Sequence, residues 1–293
     1  MATFAPLDAN ETLEQAQARN VRDALAEDIG TGDWTAMLVP DRPATARIRV
    51  REAAVLCGRD WLEGCVRALD PAASFSWAYA DGDDMTADSL VLEARGRARS
   101  LLSAERPGLN FLQLLSGTAT VARRYALAIE GASPNPRGCV VLDTRKTIPG
   151  LRQAQKYAVR VGGGVNQRAA LWDGILIKEN HVAAAGGVAE ALAAARALGA
   201  GPDVPIQIEV ERLDQLEIAL AAGATSILLD NLSLDEMRDA VRITAGRALL
   251  EASGGAELAA MREIAATGVD RISVGAMTKH VRAVDFSMRL TGT

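Results

Sequence analysis

The stretch IQIEVERLDQLEIALAAGATSILLD, residues 206–230, holds the pattern on which the fold is read. Residues 206–210 and 225–230 are short aliphatic runs, apolar on both sides of the alternation. Between them Leu213, Leu216, Leu220 and their neighbours recur at helical spacing. Strand, helix, strand, with both strands buried on two faces, makes a parallel βαβ unit. The same grammar runs outward in both directions. Strand-like runs stand at 139–144 and 174–178 before it, and at 248–253 and 271–276 after it. Helical spacing fills 188–198, 237–245 and 257–266 between them. Six strands are visible where a closed α/β barrel has eight. The pattern predicts an incomplete α/β barrel of about six to seven strands, with a doubly wound open sheet as the second choice.

The first part of the chain reads differently. Residues 13–28 form a helical pattern closed by Gly30. Residues 46–51 alternate strictly, with Arg47, Arg49 and Arg51 on one face, and Arg95, Arg97 and Arg99 repeat that period. Such alternation marks half-buried antiparallel strands. The arginine rows read as a solvated sheet face rather than a nucleic-acid surface, because no aromatics interleave with them. The expected organisation is therefore an N-terminal α+β sandwich domain at 1–115 and a barrel domain at 116–276. The C-terminal segment 277–293 is expected to pack back on the first.

Composition narrows the classes. The chain has 293 residues, 49% apolar and 24% charged, which is ordinary for a globular protein. A net charge of −5 argues against bulk binding to nucleic acid or an anionic membrane. No apolar run approaches the roughly 18 residues of a membrane span. The start, Met1-Ala2-Thr3-Phe4-Ala5-Pro6-Leu7-Asp8, lacks the basic and apolar regions of a secretory signal. Cys57, Cys65 and Cys139 have no zinc-site spacing, and the expected compartment is a reducing cytoplasm. Cys139 opens a strand away from the rim and reads as a core residue. Only His181 and His280 are histidines, so a His-rich metal centre is excluded.

In a parallel α/β fold the chemistry sits beyond the carboxyl ends of the strands. Those ends read Asp143-Thr144-Arg145-Lys146, Lys178-Glu179-Asn180-His181, Glu209 with Glu211, Asp230-Asn231, Glu251-Ala252-Ser253-Gly254-Gly255 and Ser273-Val274-Gly275-Ala276. Charged and small polar residues at six successive ends point to a functional rim. Arg145, Lys146, Lys178 and Arg168 make a cationic cluster, which needs an anion to relieve its self-repulsion; the alternative is a network with Asp143, Asp173, Glu179 and Glu209. Ser253-Gly254-Gly255 and Gly275 bare backbone N–H groups before a helix start, as phosphate sites do. Glu209 and Asp230 lie on adjacent strands. They can hold Mg²⁺ together with substrate oxygens, hydrogen-bond sugar hydroxyls, or pair with Lys178. Arg106 precedes Pro107 at an apparent helix start, where a cation opposes the dipole unless an anion arrives. No nucleophile stands out, and His181 is open between a turn residue and a ligand contact.

The residues Asp143-Thr144-Arg145-Lys146-Thr147-Ile148-Pro149-Gly150, Lys156-Tyr157-Ala158, Gly162-Gly163-Gly164-Val165-Asn166, Ile177-Lys178-Glu179-Asn180-His181, Leu229-Asp230-Asn231 and Glu251-Ala252-Ser253-Gly254-Gly255 resemble the quinolinate phosphoribosyltransferase family. The resemblance runs from Glu27-Asp28-Ile29-Gly30 through Glu105-Arg106 and Leu109-Asn110 to Ser287-Met288-Arg289. It implies a sandwich domain beside an incomplete α/β barrel. It implies reaction of quinolinate with phosphoribosyl pyrophosphate and Mg²⁺ to give nicotinate mononucleotide, CO₂ and pyrophosphate, a step of de novo NAD synthesis. Carried over by position, Arg145, Arg168 and Lys178 would hold the quinolinate carboxylates. Arg106 would join them from the partner subunit of a homodimer or larger assembly. Lys146 would meet pyrophosphate, and Glu209 and Asp230 would bind ribose hydroxyls and, through them or water, Mg²⁺. Ser253, Gly254, Gly255, Gly275 and Ala276 would cradle the 5′-phosphate, with Thr144 and Val274 in the same substrate-binding set. Lys146, Lys178, Glu209 and Asp230 are the expected catalytic residues. Many members of the family carry histidine where Gln167 stands. Glutamine still hydrogen-bonds a carboxylate but adds no charge. The rival readings are a phosphoribosyltransferase for another pyridine carboxylate, a Schiff-base barrel aldolase, and a non-catalytic anion-binding protein.

Overall fold

The structure, a computed structural model, describes residues 11–199, 201 and 204–291. The start of the chain, read above as lacking a signal, lies outside the described residues. In chain order the elements are α1 (Leu13–Ile29), β1 (Pro43–Val50), β2 (Ala54–Val55), α2 (Arg59–Leu69), β3 (Ser74–Trp77), β4 (Asp84–Met85), β5 (Leu90–Arg97) and α3 (Ala98–Ala128). They continue with β6 (Val140–Leu142), α4 (Arg152–Val161), β7 (Ile175–Ile177), α5 (Glu179–Ala185), α6 (Val188–Ala197), β8 (Ile206–Val210) and α7 (Leu213–Ala221). The last are β9 (Ser226–Asp230), α8 (Leu234–Thr244), β10 (Leu249–Ser253), α9 (Met261–Ala265), β11 (Arg271–Ser273), α10 (Ala276–Lys279) and β12 (Phe286–Thr291). The chain forms two compact units, one of residues 10–123, 147–163 and 277–293, the other built on 124–146 and 164–276. Residue 115 falls inside α3, and residues 147–163 belong with the first unit.

The first unit is built on an antiparallel sheet in the order β12-β1-β5-β3. In β1, Ala44, Ala46, Ile48 and Val50 alternate inward into a core with Trp61, Leu62, Leu92, Leu101, Leu112, Leu115 and Phe286. The C-terminal strand β12 joins this sheet, with Phe286 opposite Val50 and Arg289 opposite Arg47. The outward arginines have partners on the same face. Arg47 and Arg95 both reach Glu93 (3.0 and 2.9 Å), Arg97 reaches Asp41 (2.5 Å), and Arg51 reaches Asp88 (3.2 Å). Helix α1 starts with a capping box of Thr12 and Gln15 and stops at Gly30, whose φ of +52° a side chain would disfavour.

Two readings of this unit are corrected. Arg99 is not on a strand: β5 ends at Arg97, and Arg99 lies in the first turn of α3. Arg106 is not at a helix start, because α3 begins at Ala98 and carries Pro107 in its interior. An interior proline costs about 3 kcal/mol through a lost N–H and a clash with the preceding turn. Here the helix is buried along Leu101, Ala104, Leu109, Leu112 and Leu115. Burying each leucine returns about 1.5–3 kcal/mol, so packing overrides the local breaker.

The second unit holds six parallel strands in the order β6-β11-β10-β9-β8-β7. β9 and β10 are the middle of the sheet, and Ile227, Leu229, Leu250 and Ala252 are all buried, as helix-covered parallel strands require. β6 and β7 are not paired with each other, so the barrel is open at that seam. One bridge, Leu142 to Val165, adds a residue alongside β6 there. The strands stop short of some expected ends. The run at 271–276 is strand only to Ser273, because α10 begins at Ala276. Cys139 precedes β6 and is half-buried rather than a core residue. Among the described residues, no helix is long and apolar enough to cross a membrane.

Gly117 of α3 tests the packing of the first unit. A Cβ there would stand 2.3 Å from the carbonyl oxygen of Arg282. Gly117→Ala is expected to destabilise this unit by about 1–3 kcal/mol, lowering the midpoint of thermal unfolding. An unchanged midpoint would show that residues 277–285 do not pack on α3 as described.

Candidate active site

The strand register decides which side chains share a face. Glu209 pairs with Leu228, Leu228 with Glu251, Asp230 with Ser253, and Glu251 with Arg271. Residues two apart lie on one face, so Gln207, Glu209, Asp230, Glu251 and Ser253 point the same way. Gln207 and Glu251 lie on strands separated by β9, yet they are hydrogen-bonded at 2.8 Å. Side chains converge across an intervening strand only on the concave side, so this face lines the barrel interior. Glu209, Asp230 and Ser253 are its uppermost members, at the carboxyl ends of β8, β9 and β10.

Arg145 and Arg168 are brought together at the open seam. Arg168 is 8% exposed and its Nη1 donates to the carbonyl of Gly174 at 2.8 Å. Burial lowers its proton affinity first, the nearby Arg145 charge adds to that, and Asp173 opposes it. Arg145 Nε is buried and has no hydrogen-bond partner. A buried donor left unmade costs about 1–3 kcal/mol. Two guanidinium groups with an unmet donor have the chemistry to take a carboxylate or phosphate.

The segment that carries Arg168 is fixed by Asp143. This carboxylate is fully buried, its Oδ1 accepting the Gln167 N–H (2.9 Å) and its Oδ2 the Asn166 Nδ2–H (2.6 Å). Asp143 is therefore a buried support, not a rim group. Asp173 likewise accepts the N–H groups of Ala169 (2.5 Å) and Ala170 (2.8 Å). Glu179 accepts from Asn180. Of the acidic network weighed above, Lys178 Nζ pairs with Glu209 Oε2 at 3.9 Å, and the Asp173 charge acts on Arg168. Lys178 stands at the start of α5, where its backbone N–H donates to His181 Nδ1 at 3.0 Å. His181 thus fixes the backbone of Lys178.

Glu209 has its carboxyl pushed up to about 7. Burial is the main cause, the Asp230 and Glu179 charges add to it, and Lys178 opposes it. Asp230 is oriented by Asn231, whose Nδ2 donates to its Oδ2 at 2.9 Å. Asn231 has φ +55°, and its backbone N–H donates to the Ser253 carbonyl at 3.0 Å. Its Oδ1 fills the space beside Gly254, where a Cβ would stand 2.0 Å away, and Gly254 itself has φ +95°. Only glycine fits there. Gly255 (φ +58°) is exposed with open space beside it, and a 3₁₀ turn starts at Leu258. On the next strand end Gly275 lies under Lys146, whose Cδ is 3.1 Å from the position of a Cβ, with Thr144 Oγ1 at 3.5 Å. Thr144 Oγ1 also accepts the Lys146 N–H at 3.1 Å.

Two candidate residues are placed differently from expectation. Val274 is buried and its N–H donates to Leu142 in the sheet, so it offers a ligand neither side chain nor donor. Gln167 is 7% exposed and commits an Nε2–H to Gln207 Oε1 at 3.1 Å. Glu251, counted above with the rim, is 1% exposed and interior. Ala276 opens α10, and Arg106 lies exposed on α3 in the other unit. Asn231 and Asn166 stood in the sequence only as members of quoted motifs, with no role of their own, and Gln207 was not singled out. The cysteines offer no nucleophile: burial raises all three thiols, Cys65 and Cys139 to about 12.

The family model described as quinolinate phosphoribosyl transferase, N-terminal domain, matches residues 33–116, and the C-terminal domain model matches residues 118–289. The chain belongs to the quinolinate phosphoribosyltransferase family. A relative from Mycobacterium leprae, named nicotinate-nucleotide pyrophosphorylase [carboxylating], is 41% identical over 278 residues, covering 92% of this chain and 95% of its own. A relative from Bacillus subtilis, named probable nicotinate-nucleotide pyrophosphorylase [carboxylating], is 39% identical over 266 residues, 90% of each chain. The solved nicotinate-nucleotide pyrophosphorylase from Francisella tularensis superposes with a TM-score of 0.90 at 44% identity, covering 96% of this chain and 98% of that one. Membership in this family agrees with the six-stranded open barrel and the separate antiparallel sheet found here.

The raised Glu209 carboxyl has a measurable consequence. Between its ordinary 4.5 and about 7, the folded protein keeps a proton that the unfolded chain has released. The stability this group contributes is therefore largest at acid pH and falls as pH rises through that window. In the ligand-free protein, Glu209→Gln is expected to flatten the decline of the thermal midpoint between about pH 5 and about pH 8. Glu251, also raised by burial, keeps part of the slope. Identical pH profiles for the two proteins would contradict the placement of Glu209.

Proposed function

We propose that this chain transfers the phosphoribosyl group of phosphoribosyl pyrophosphate to quinolinate with loss of CO₂. The products are nicotinate mononucleotide and pyrophosphate, and the reaction is a step of de novo NAD biosynthesis. Family membership over both domains supports the reaction. The observation that carries the assignment of its site is the buried, unpartnered Nε–H of Arg145 beside Arg168. A planar dicarboxylate supplies the acceptors and the negative charge that this pair lacks.

In this reading Arg145, Arg168 and Lys178 grip the two carboxylates of quinolinate. They aim the pyridine nitrogen at ribose C1. The Ser253-Gly254-Gly255 turn and Gly275 receive the 5′-phosphate through backbone N–H groups. Glu209 and Asp230 accept the ribose hydroxyls, with Asn231 holding Asp230 in orientation. As nitrogen attacks C1 and pyrophosphate leaves, positive charge builds on the ribose beneath these carboxylates. Lys146 offsets the negative charge on the leaving group. Positioning of two bound substrates supplies much of the acceleration. The pyridinium formed stabilises the carbanion left by CO₂, which then takes a proton from water, so no base is required.

The family's reaction uses Mg²⁺, and the residues suit a shared ion rather than a protein cage. Among the described residues no group of three His, Cys, Asp or Glu side chains gathers to hold a metal. Glu209 and Asp230 alone suit Mg²⁺ held jointly with ribose hydroxyls or water. Bound there, the ion would supply charge stabilisation for a departing pyrophosphate. The assembly in this reading is a homodimer or larger, with Arg106 reaching the site of the partner subunit. A reducing cytoplasm suits three free thiols.

The test is one assay with quinolinate, phosphoribosyl pyrophosphate and Mg²⁺, following nicotinate mononucleotide and CO₂, beside a second with nicotinate. Turnover of quinolinate and not nicotinate is expected. Arg145→Ala and Arg168→Ala are expected to lower kcat/KM for quinolinate roughly 10²–10³-fold while circular dichroism shows a folded protein. Normal turnover in either variant refutes the pocket.

A further inference from the structure

Inside the barrel, below the cationic pair, three side chains form a directed chain. Gln167 Nε2 donates to Gln207 Oε1 at 3.1 Å, and Gln207 Nε2 donates to Glu251 Oε2 at 2.8 Å. Their exposures are 7%, 2% and 1%, so water does not compete for these bonds. They come from three places in the sheet: the seam segment, β8 and β10. None of the three faces the solvent rim, and the reaction as derived above uses none of them directly.

A carboxamide presents a donor on one side and an acceptor on the other, and only its surroundings fix which way it points. At the far end, Glu251 Oε2 accepts. That forces the Gln207 amino group toward Glu251 and its oxygen toward Gln167. The same logic turns the Gln167 amino group inward. The backbone N–H of Gln167 is held by Asp143, and the next residue is Arg168. One interior acceptor thereby sets the direction of two amides and braces the segment that presents Arg168.

We propose that Glu251 is a positioning residue for quinolinate binding, acting through Gln207 on Gln167 and so on the seat of Arg168. The inference rests on the reading above in which Arg168 grips a quinolinate carboxylate. Glu251 does this as the buried acceptor at the inner end of the chain. It is wholly buried, its Oε1 has no hydrogen-bond partner, and burial raises its proton affinity. Gln207 and Ser273 stabilise the ionised form more weakly, Arg271 stands behind them, and the Asp143 charge works against ionisation. What the chain uses at position 251 is an acceptor of the right reach.

The test compares Glu251→Met, Gln207→Met, the double variant and Glu251→Gln in steady-state assays of the full chain. Each Met variant is expected to raise KM for quinolinate about tenfold, with KM for phosphoribosyl pyrophosphate within about twofold of wild type. The double variant should be no worse than either single, because the chain acts as a unit. Glu251→Gln, of the same shape and still an acceptor, should restore quinolinate KM. Equal rises in both KM values, additive effects, or a Glu251→Gln as defective as Glu251→Met would each overturn the inference. Should the Met variants fail to fold, Gln207→Asn breaks the chain with one methylene less and is read in the same way. Absence of quinolinate turnover in wild type would end the functional reading instead. The chain is then judged by thermal midpoints of Gln167→Met, Glu251→Met and their combination. Non-additive shifts between these two residues, whose side chains are joined through Gln207, uphold it, and additive shifts reject it.

Discussion

Asp143 sits at the end of β6 with no exposure to solvent, and both of its oxygens bind the same short segment. A buried carboxylate is costly unless it is met by donors. Here the donors are the Gln167 backbone and the Asn166 amide. That constraint ties residues 165–168 to β6, where Val165 also bridges Leu142. Arg145, two residues beyond Asp143, and Arg168, one residue beyond Gln167, are then obliged to be neighbours. Two like charges would not choose this arrangement; the hydrogen-bonded scaffold beneath them imposes it. In the proposed reading a bound dianion relieves the repulsion.

The opposite side of the rim is organised by backbone conformation. Asn231 and Gly254 both lie at positive φ, one packed against the other, so the ends of β9 and β10 have a single way to turn. That turn aims the Asp230 carboxylate and leaves Gly255 bare. A cationic half built on side-chain hydrogen bonds thus faces a half built on glycine geometry, the one that takes phosphate and sugar in the proposed reading.

Much of this was legible in the sequence. Parallel strands buried on two faces have a distinctive composition, and β8 and β9 were read to within a residue. The rim was legible because charged side chains at strand ends have no packing explanation. The misreadings have physical causes. Pro107 marks a helix start by local propensity, but leucine burial along α3 overrides it. Asp143 and Glu251 look like rim groups in a string of letters, since sequence order does not tell which polar residue at a strand end turns inward. Gln207 was invisible because its partners lie 40 and 44 positions away. Motifs from the family supplied the order of the parts, and the register supplied their facing.

Among the described residues β6 and β7 are not paired, which leaves a gap in the barrel. Arg145 hangs from one lip, Lys178 from the other, and Arg168 from the strip between. A small planar acid gripped by all three would act as a clasp, finishing by ionic contact the circle that the polypeptide leaves unfinished. Occupancy should then be felt most in the edge strands, as slower amide exchange along the lips of the gap.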